Sequence, residues 1–155
     1  MKEKIFEFET KGELKNLSII GDFIAETMRQ LGVDHARDIF DIQLAVDEAC
    51  TNIVKYAYSC KDGGMIVIRC CLANSGNNLV VTIKDRGKPF DPSKIPPPDT
   101  KAALSERKVG GLGMFLMREL MDEIRYAFNK EENDLTLVKY LGKPDHKEEE
   151  DEGRG

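Results

Sequence analysis

The sequence has few of the residues that mark exported, metal-binding or membrane-spanning proteins. It contains four cysteines, two histidines and no tryptophan in 155 residues. The cysteines, at positions 50, 60, 70 and 71, form no C-x-x-C pair, which argues against a zinc site. No apolar run approaches the roughly 18 residues that a membrane span needs, and the acidic N-terminus lacks the pattern of a signal peptide. We therefore expect a cytoplasmic protein with reduced thiols.

An excess of positive charge is also missing. The formal net charge is -5, and the last thirteen residues, "KPDHKEEEDEGRG", hold six acids against three bases. No basic patch interleaved with aromatic residues appears, so we expect neither nucleic acid nor a membrane as a partner. The length suits one domain. We predict a domain over residues 1–142 and a solvated acidic tail over residues 143–155.

Hydrophobic spacing predicts the order of elements in the first half of the chain. "KIFEFET" is typical of a short strand, and Thr10 with Glu13 forms a possible capping box for a helix that ends at Gly32. Asp34 can cap a second helix, which runs to about Ser59. Two strands, "MIVIRCCL" and "NLVVTIKD", follow and are joined by "ANSGNN".

The second half begins with a long segment that has no strand pattern. Residues 85–111 are rich in proline and charge, and a loop of that length in a compact domain is often a lid. A third helix is predicted from near Leu112, and "IRYAFN" and "LTLVKYL" form a closing hairpin. The predicted fold is an α/β two-layer sandwich, with a mixed, mostly antiparallel sheet, three helices on one face and a short lid.

The stretch "VDEACTNIV" places Glu48 and Asn52 four residues apart on one side of the second helix. We draw the apolar face of that helix through Phe40, Leu44, Ile53 and Tyr56 or Ala57, with the polar pair at its edge. An asparagine oxygen suits Mg²⁺, and a neighbouring carboxylate can act as a general base. By itself, however, the pair is more typical of a solvated helix edge.

Two further motifs follow in the chain. Asp85 ends an apolar strand and Gly87 allows a tight turn, although Asp-x-Gly alone is also an ordinary turn. "GGLGMFL" places three glycines at the start of an apolar helix, where exposed N–H groups and the helix dipole suit phosphate. There is no G-x-x-x-x-G-K-[ST] motif, so this is not a P-loop.

The order of these motifs resembles that of the Bergerat-fold ATP-binding family, which includes DNA gyrase, histidine kinases and DNA mismatch-repair ATPases. "DEACTNIVKYAY" is similar to its N box, "DRGKPFDP" to its first glycine box and "GGLGMFLMRELMDEI" to its second. The resemblance is closest to the small bacterial anti-sigma-factor serine/threonine kinases, and it spans residues 5–141. The chain departs from the wider family at Tyr56, where many relatives have histidine, and at Pro89, where the wider family has glycine.

The resemblance implies ATP and Mg²⁺ as cofactors and assigns roles to named residues. Asn52 would coordinate Mg²⁺, and Glu48 would be the catalytic base that takes the proton from a serine hydroxyl or water. Asp85 would accept from the adenine amine, while Gly87 would let the base lie close. The phosphates would be held by the third helix start and the end of the lid, at Arg107, Lys108, Gly110, Gly111, Leu112 and Gly113.

By the same resemblance, the chain would be a protein serine/threonine kinase and a homodimer. It would hold a sigma factor or similar regulator inactive and phosphorylate a small antagonist protein of the anti-anti-sigma, STAS type. A non-catalytic, nucleotide-dependent switch is the alternative. The ATPase half of a histidine kinase is disfavoured, because neither His35 nor His146 lies in a plausible phosphoacceptor helix.

Overall fold

The computed structural model describes residues 4–59, 64–89, 116–128 and 131–142. The described residues contain five strands in one sheet, which are β1 (Phe6–Lys11), β2 (Met65–Ala73), β3 (Asn78–Asp85), β4 (Glu123–Phe128) and β5 (Asn133–Tyr140). Their spatial order is β1-β2-β3-β5-β4, and each neighbouring pair is antiparallel. The predicted α/β fold with hairpin-paired strands is confirmed.

Alternating apolar residues give the sheet one buried face. Ile68, Ile83 and Leu135 lie side by side across β2, β3 and β5, and each is at most 5% exposed. Side chains alternate between the faces of a strand, so every second residue contributes to such a row. At one end of β3 and β5, the last inward-facing pair in these rows is Asp85 opposite Asn133. Two polar residues thus occupy inward positions in an otherwise apolar pattern.

The helices cover this buried face. Helix α1 spans Leu17–Leu31 and α2 spans Ala36–Asn52, while residues 116–120 are also helical and are called α3. A single core cluster joins the inward strand rows to buried residues of all three helices, among them Ile24, Ile42 and Met117. Full burial of such a side chain stabilises a fold by roughly 1.5–3 kcal/mol.

The predicted helix caps are only partly correct. Gly32 ends α1 in the left-handed conformation, with φ 79°, as predicted. The Thr10 capping box is wrong, because Thr10 lies in β1 and a 3-10 turn over Leu14–Asn16 precedes α1. The predicted Asp34 cap is also wrong, because His35 is the N-cap residue of α2 and makes no side-chain cap bond.

The face of α2 that meets the core also differs from the prediction. Phe40 and Tyr56 are 56% and 43% exposed, whereas Ala45 and Ala49 are buried. Small side chains bring this face close to the sheet, and the buried Asp41 interrupts its apolar pattern. Of the residues through which we drew the apolar face, Ile53 and Ala57 are buried whereas Phe40 and Tyr56 are exposed, so the prediction is only partly correct.

The described residues include no helix that is both long and apolar enough to cross a membrane.

Candidate active site

Asp85 occupies a closed polar position at the end of β3. It is 5% exposed and lies directly opposite Asn133, which is 2% exposed. The Asp85 Oδ1 atom accepts hydrogen bonds from the Gly87 backbone N–H at 2.9 Å and from Asn133 Nδ2 at 3.0 Å. Burial raises the pKa of Asp85 above its usual range, and these two hydrogen bonds lower the pKa without cancelling that rise. The carboxylate is therefore held rigidly at a position where its charge is costly.

The turn after Asp85 is packed against the helix layer. A Cβ on Gly87 would lie 2.6 Å from the Ala57 carbonyl oxygen, so only glycine fits without a shift of the backbone. The next residue, Lys88, donates its backbone N–H to that same carbonyl at 2.8 Å. Because Gly87 has no side chain, the turn can thus approach the end of the second helix closely. The described contacts do not test the proximity to a ligand that we predicted for Gly87.

A single turn of π-helix connects α2 to this contact. Residues Ile53–Ala57 follow Asn52 directly in π geometry, which inserts one residue and occurs frequently at functional sites. Immediately afterwards, the Tyr58 hydroxyl donates to the Met65 carbonyl at 2.5 Å and accepts the Arg86 N–H at 2.9 Å. The end of the helix is consequently tied both to β2 and to the turn that follows Asp85.

The predicted polar pair lies just before that connection. Asn52 is the last residue of α2 and is 3% exposed, and its Nδ2 has no hydrogen-bond partner among the described residues. Glu48, one turn earlier, is half-buried. Burial raises the pKa of Glu48, the charge of Asp47 raises it further, and Lys55 lowers it. A carboxylate with a raised pKa is a better proton acceptor near neutral pH.

The buried thiol of Cys50 lies near charged groups of both the α2 motif and the Asp85 turn. Cys50 is fully buried, and burial raises its pKa above the usual range. The charges of Asp47 and Asp85 both add to that rise. Asp85 therefore lies within electrostatic reach of the same helical turn that carries Glu48. Asp47 itself is exposed, as expected for a surface residue.

The remaining predicted site residues lie outside the described part of the chain. They are the phosphate-binding candidates Arg107, Lys108, Gly110, Gly111, Leu112 and Gly113, together with most of the predicted lid. The described residues therefore include Asp85, predicted to recognise the base, and the predicted helix pair Glu48 and Asn52.

Sequence reasoning missed Asn133 and Tyr58. Asn133 could have been recognised from the period of two in "NDLTL", because it shares a face with Leu135 and Leu137. Tyr58 gave no comparable signal, since its hydroxyl joins segments that are 7 and 28 residues away along the chain.

The residues present fit a magnesium ion that arrives with a nucleotide. Among the described residues, no group of three or more His, Cys, Asp or Glu side chains could hold a metal ion. Mg²⁺ commonly takes one or two protein ligands and completes its shell with substrate phosphates and water. Asn52 would contribute one oxygen ligand from its side-chain amide, whose nitrogen has no hydrogen-bond partner among the described residues.

Comparison with known proteins gives a consistent result. The family described as histidine kinase-like ATPase domain matches residues 10–139. The chain is 30% identical to the serine-protein kinase RsbW of Staphylococcus aureus, in strains MSSA476 and Newman, over 146 residues. This alignment covers 92% of the chain and 90% of each relative.

A solved structure has a similar fold. It contains the RsbU and RsbW domains of a Mycobacterium tuberculosis protein, with a TM-score of 0.62 and 24% sequence identity. The match covers 91% of the present chain and 33% of that longer chain.

Proposed function

The chain belongs to the histidine kinase-like ATPase domain family, and on that premise we propose that it is an ATP-dependent serine/threonine protein kinase of the anti-sigma-factor type. The similarity to serine-protein kinase RsbW over almost the full length of both chains supports this reaction class. The observation that carries the proposal is the bond from Lys88 N–H to the Ala57 carbonyl. It fixes the Asp85 turn against the helix that bears Glu48 and Asn52.

In this proposal Asp85 recognises the base of ATP. Its Oδ1 is held by two protein donors, and no hydrogen bond from the described residues reaches Oδ2. That oxygen is the acceptor for the exocyclic amine of adenine. The phosphates would lie toward Gly110, Gly111, Leu112 and Gly113, with Arg107 or Lys108 neutralising their charge.

Asn52 and Glu48 divide the chemistry at the phosphate end. Asn52 would hold Mg²⁺, which supplies charge neutralisation at the phosphates when it is bound. Glu48 would accept the proton of the attacking serine hydroxyl, and its raised pKa suits that role. Phosphoryl transfer depends mainly on positioning and electrostatics, so the rigid attachment of both motifs is itself part of catalysis.

We infer the partners from the same family membership. The phosphate acceptor would be a small antagonist protein of the STAS type, and the protein held inactive would be a sigma factor or a similar regulator. The active form would be a homodimer in the cytoplasm. The helices leave the opposite face of the sheet uncovered. On that face Arg69 and Glu7 form an ion pair at 2.7 Å.

The test uses the purified full chain with Mg²⁺, radiolabelled ATP and a STAS-type antagonist protein from the same genome. Glu48→Gln should reduce transfer to the antagonist by at least about 100-fold, because general-base catalysis contributes at least that much. The Kd for ATP should change by less than about threefold. The matched control, Asp47→Asn, removes the neighbouring carboxylate and should retain transfer.

Undiminished transfer by Glu48→Gln would remove Glu48 from the role of base. Binding of ATP by the unaltered chain without any phosphorylated antagonist would favour a nucleotide-dependent switch over a kinase.

A further inference from the structure

A regular series of residues follows one side of α2 and continues into the π turn. Its members, at steps of four residues, are Phe40, Leu44, Glu48, Asn52 and Tyr56. Side chains four residues apart form a continuous ridge on the surface of a helix. We call this series the α2 ridge, and the two residues proposed for catalysis lie at its centre.

The apolar members of the α2 ridge are not part of the core. Phe40 is 56% exposed and Tyr56 is 43% exposed, and Leu44 is half-buried. Phe40 lies eight residues before Glu48 and Tyr56 lies eight residues after it. The proposed base is therefore flanked along the chain by two exposed aromatic rings.

The stability of the helix gives no reason for an aromatic ring at position 40. Phenylalanine has a lower helix propensity than alanine or leucine. At 56% exposed, the Phe40 side chain also removes little of its apolar surface from water. The ring is better explained by a contact that another molecule supplies.

A kinase whose base is Glu48 has to receive a protein over this part of α2. The acceptor hydroxyl must come within about 2.6–3.2 Å of the carboxylate. A hydroxyl on the surface of a folded protein reaches that distance only if the surface around it covers the neighbouring turns of the helix. Eight residues correspond to roughly 12 Å along a helix. An interface that buries about 800 Å² per partner extends that far in each direction from its centre.

We propose that Phe40, Leu44 and Tyr56, the apolar residues of the α2 ridge, form the docking surface for the protein that receives the phosphate. The inference rests on the proposed kinase function. It also specifies the acceptor, which presents apolar surface on both sides of its serine or threonine. The rings anchor that surface, and the hydroxyl between them then lies at Glu48.

The polar residues beside the α2 ridge suit a surface that becomes covered. The Thr51 hydroxyl donates to the Asp47 carbonyl at 2.7 Å, so its proton is already bonded within the helix. Asp47 and Lys55 are exposed beside the ridge and carry opposite charges. Aromatic anchors with a charged rim are the usual anatomy of a protein interface, in which the rim contributes little to affinity.

The experiment measures steady-state phosphate transfer by the full chain at saturating Mg²⁺-ATP, with a STAS-type antagonist from the same genome as the varied substrate. Phe40→Ala should raise the KM for the antagonist by about tenfold or more, as for the loss of an aromatic anchor. The kcat should stay within about threefold, because the contact is the same in the ground state and the transition state. Phe128→Ala is the matched control, since Phe128 is 58% exposed on the edge strand β4, and it should keep the antagonist KM of the unaltered protein.

Conservative variants distinguish an apolar contact from a change in the helix. Phe40→Leu keeps most of the apolar surface and should give an antagonist KM within about threefold of the unaltered protein. Tyr56→Ala should raise that KM as Phe40→Ala does, whereas Tyr56→Phe, which keeps the ring, should not. Equal urea midpoints for Phe40→Ala and the unaltered protein verify that the fold is intact.

Several outcomes would overturn the inference. An unchanged antagonist KM in Phe40→Ala would do so, and so would a lower kcat at the same KM. If Phe40→Ala instead dissociates an oligomer in sedimentation while the antagonist KM stays the same, the surface belongs to a second copy of the chain. If the unaltered protein transfers phosphate to no antagonist, the proposed function itself fails and the inference falls with it.

Discussion

Asp85 places a carboxylate where only 5% of the residue is exposed, so its charge lowers the stability of the fold that presents it. The unfolded chain ionises near the ordinary value of 3.8, whereas burial keeps the proton on folded Asp85 to higher pH. The stabilising contribution of the neutral carboxyl is complete below that ordinary pKa, and it is lost as the pH rises through the raised pKa. At neutral pH the charge of this residue therefore lowers stability, a cost that the proposed recognition of adenine would explain.

Replacing the carboxylate should separate these two effects. Asp85→Asn keeps the acceptor for Gly87 and Asn133 but turns Oδ2 into a donor that opposes the adenine amine. We expect ATP affinity to fall at least about tenfold, as for a lost charge-assisted hydrogen bond. Without nucleotide, the variant should gain stability relative to the unaltered protein as the pH rises from 4 to 8.

Urea unfolding at pH 4 and pH 8, with calorimetry for ATP, measures both effects. Asp22→Asn is the matched control, because Asp22 lies on the exposed side of α1 and should show no such change with pH. An Asp85→Asn stability difference that is the same at both pH values would show that burial of the charge is not the cause.

Among the secondary-structure elements, the π turn over Ile53–Ala57 decides how the two motifs of the site meet. The Tyr58 ring fits between Gly12 and Gly64, where a Cβ would approach it to 2.8 Å and 2.3 Å, respectively. Its hydroxyl then binds Met65 and Arg86. The position of Asp85 relative to α2 thus depends on a side chain to which we assign no role in binding or catalysis.

Tyr58→Phe should therefore affect both stability and binding. The loss of two hydrogen bonds should cost about 1–3 kcal/mol of unfolding free energy, and the loosened turn should weaken ATP binding severalfold. Tyr140→Phe is the control, since it also loses a hydroxyl contact, to Glu123, but pairs with Asn78 at the far end of β3. Equal ATP affinity in the two variants, measured by calorimetry, would show that the Tyr58 hydroxyl does not position the site.

The elements were predictable from sequence to different degrees. The strands were found because alternation is a local property, as in "NLVVTIKD" and "LTLVKYL". The helix N-caps and part of the buried face of α2 were not, and for that face the reason is that the burial of Asp41 and the exposure of Phe40 depend on distant partners. The same limit hid Asn133, whose importance comes from Asp85, 48 residues earlier in the chain.

For the whole molecule, α2 serves different purposes at its two ends. Its C-terminal end carries Asn52, while its first turns bury Asp38 and Asp41. Asp38 accepts the Gly142 N–H at 2.9 Å, which closes the end of β5 onto the helix. Asp41 and Asn52 are 11 residues apart, or roughly 16 Å along a helix. We therefore expect stability and nucleotide binding to be controlled at separate ends.

A substitution of Lys139 tests this separation, because its side chain connects β5, α2 and α3 at the end of α2 that lies away from the site. Its Nζ lies 3.1 Å from Asp41 Oδ2 and 2.6 Å from the carbonyl of Leu120, the last residue of α3, and its side chain is 13% exposed. Lys139→Met keeps the aliphatic stem but leaves Asp41, among the described residues, with only the exposed Arg37 as an ion-pair partner, 3.3 Å away. We expect a loss of about 2–4 kcal/mol in unfolding free energy, since a buried carboxylate then loses its principal partner. Adding Asp41→Leu should restore much of the lost stability, because the unpaired charge is then gone.

Urea denaturation measures both changes in stability, and calorimetry should give an ATP Kd within about threefold of the unaltered protein for each variant. A larger loss of affinity in folded Lys139→Met would mean that α3 carries the disturbance to the nucleotide, and that the two ends of α2 are coupled.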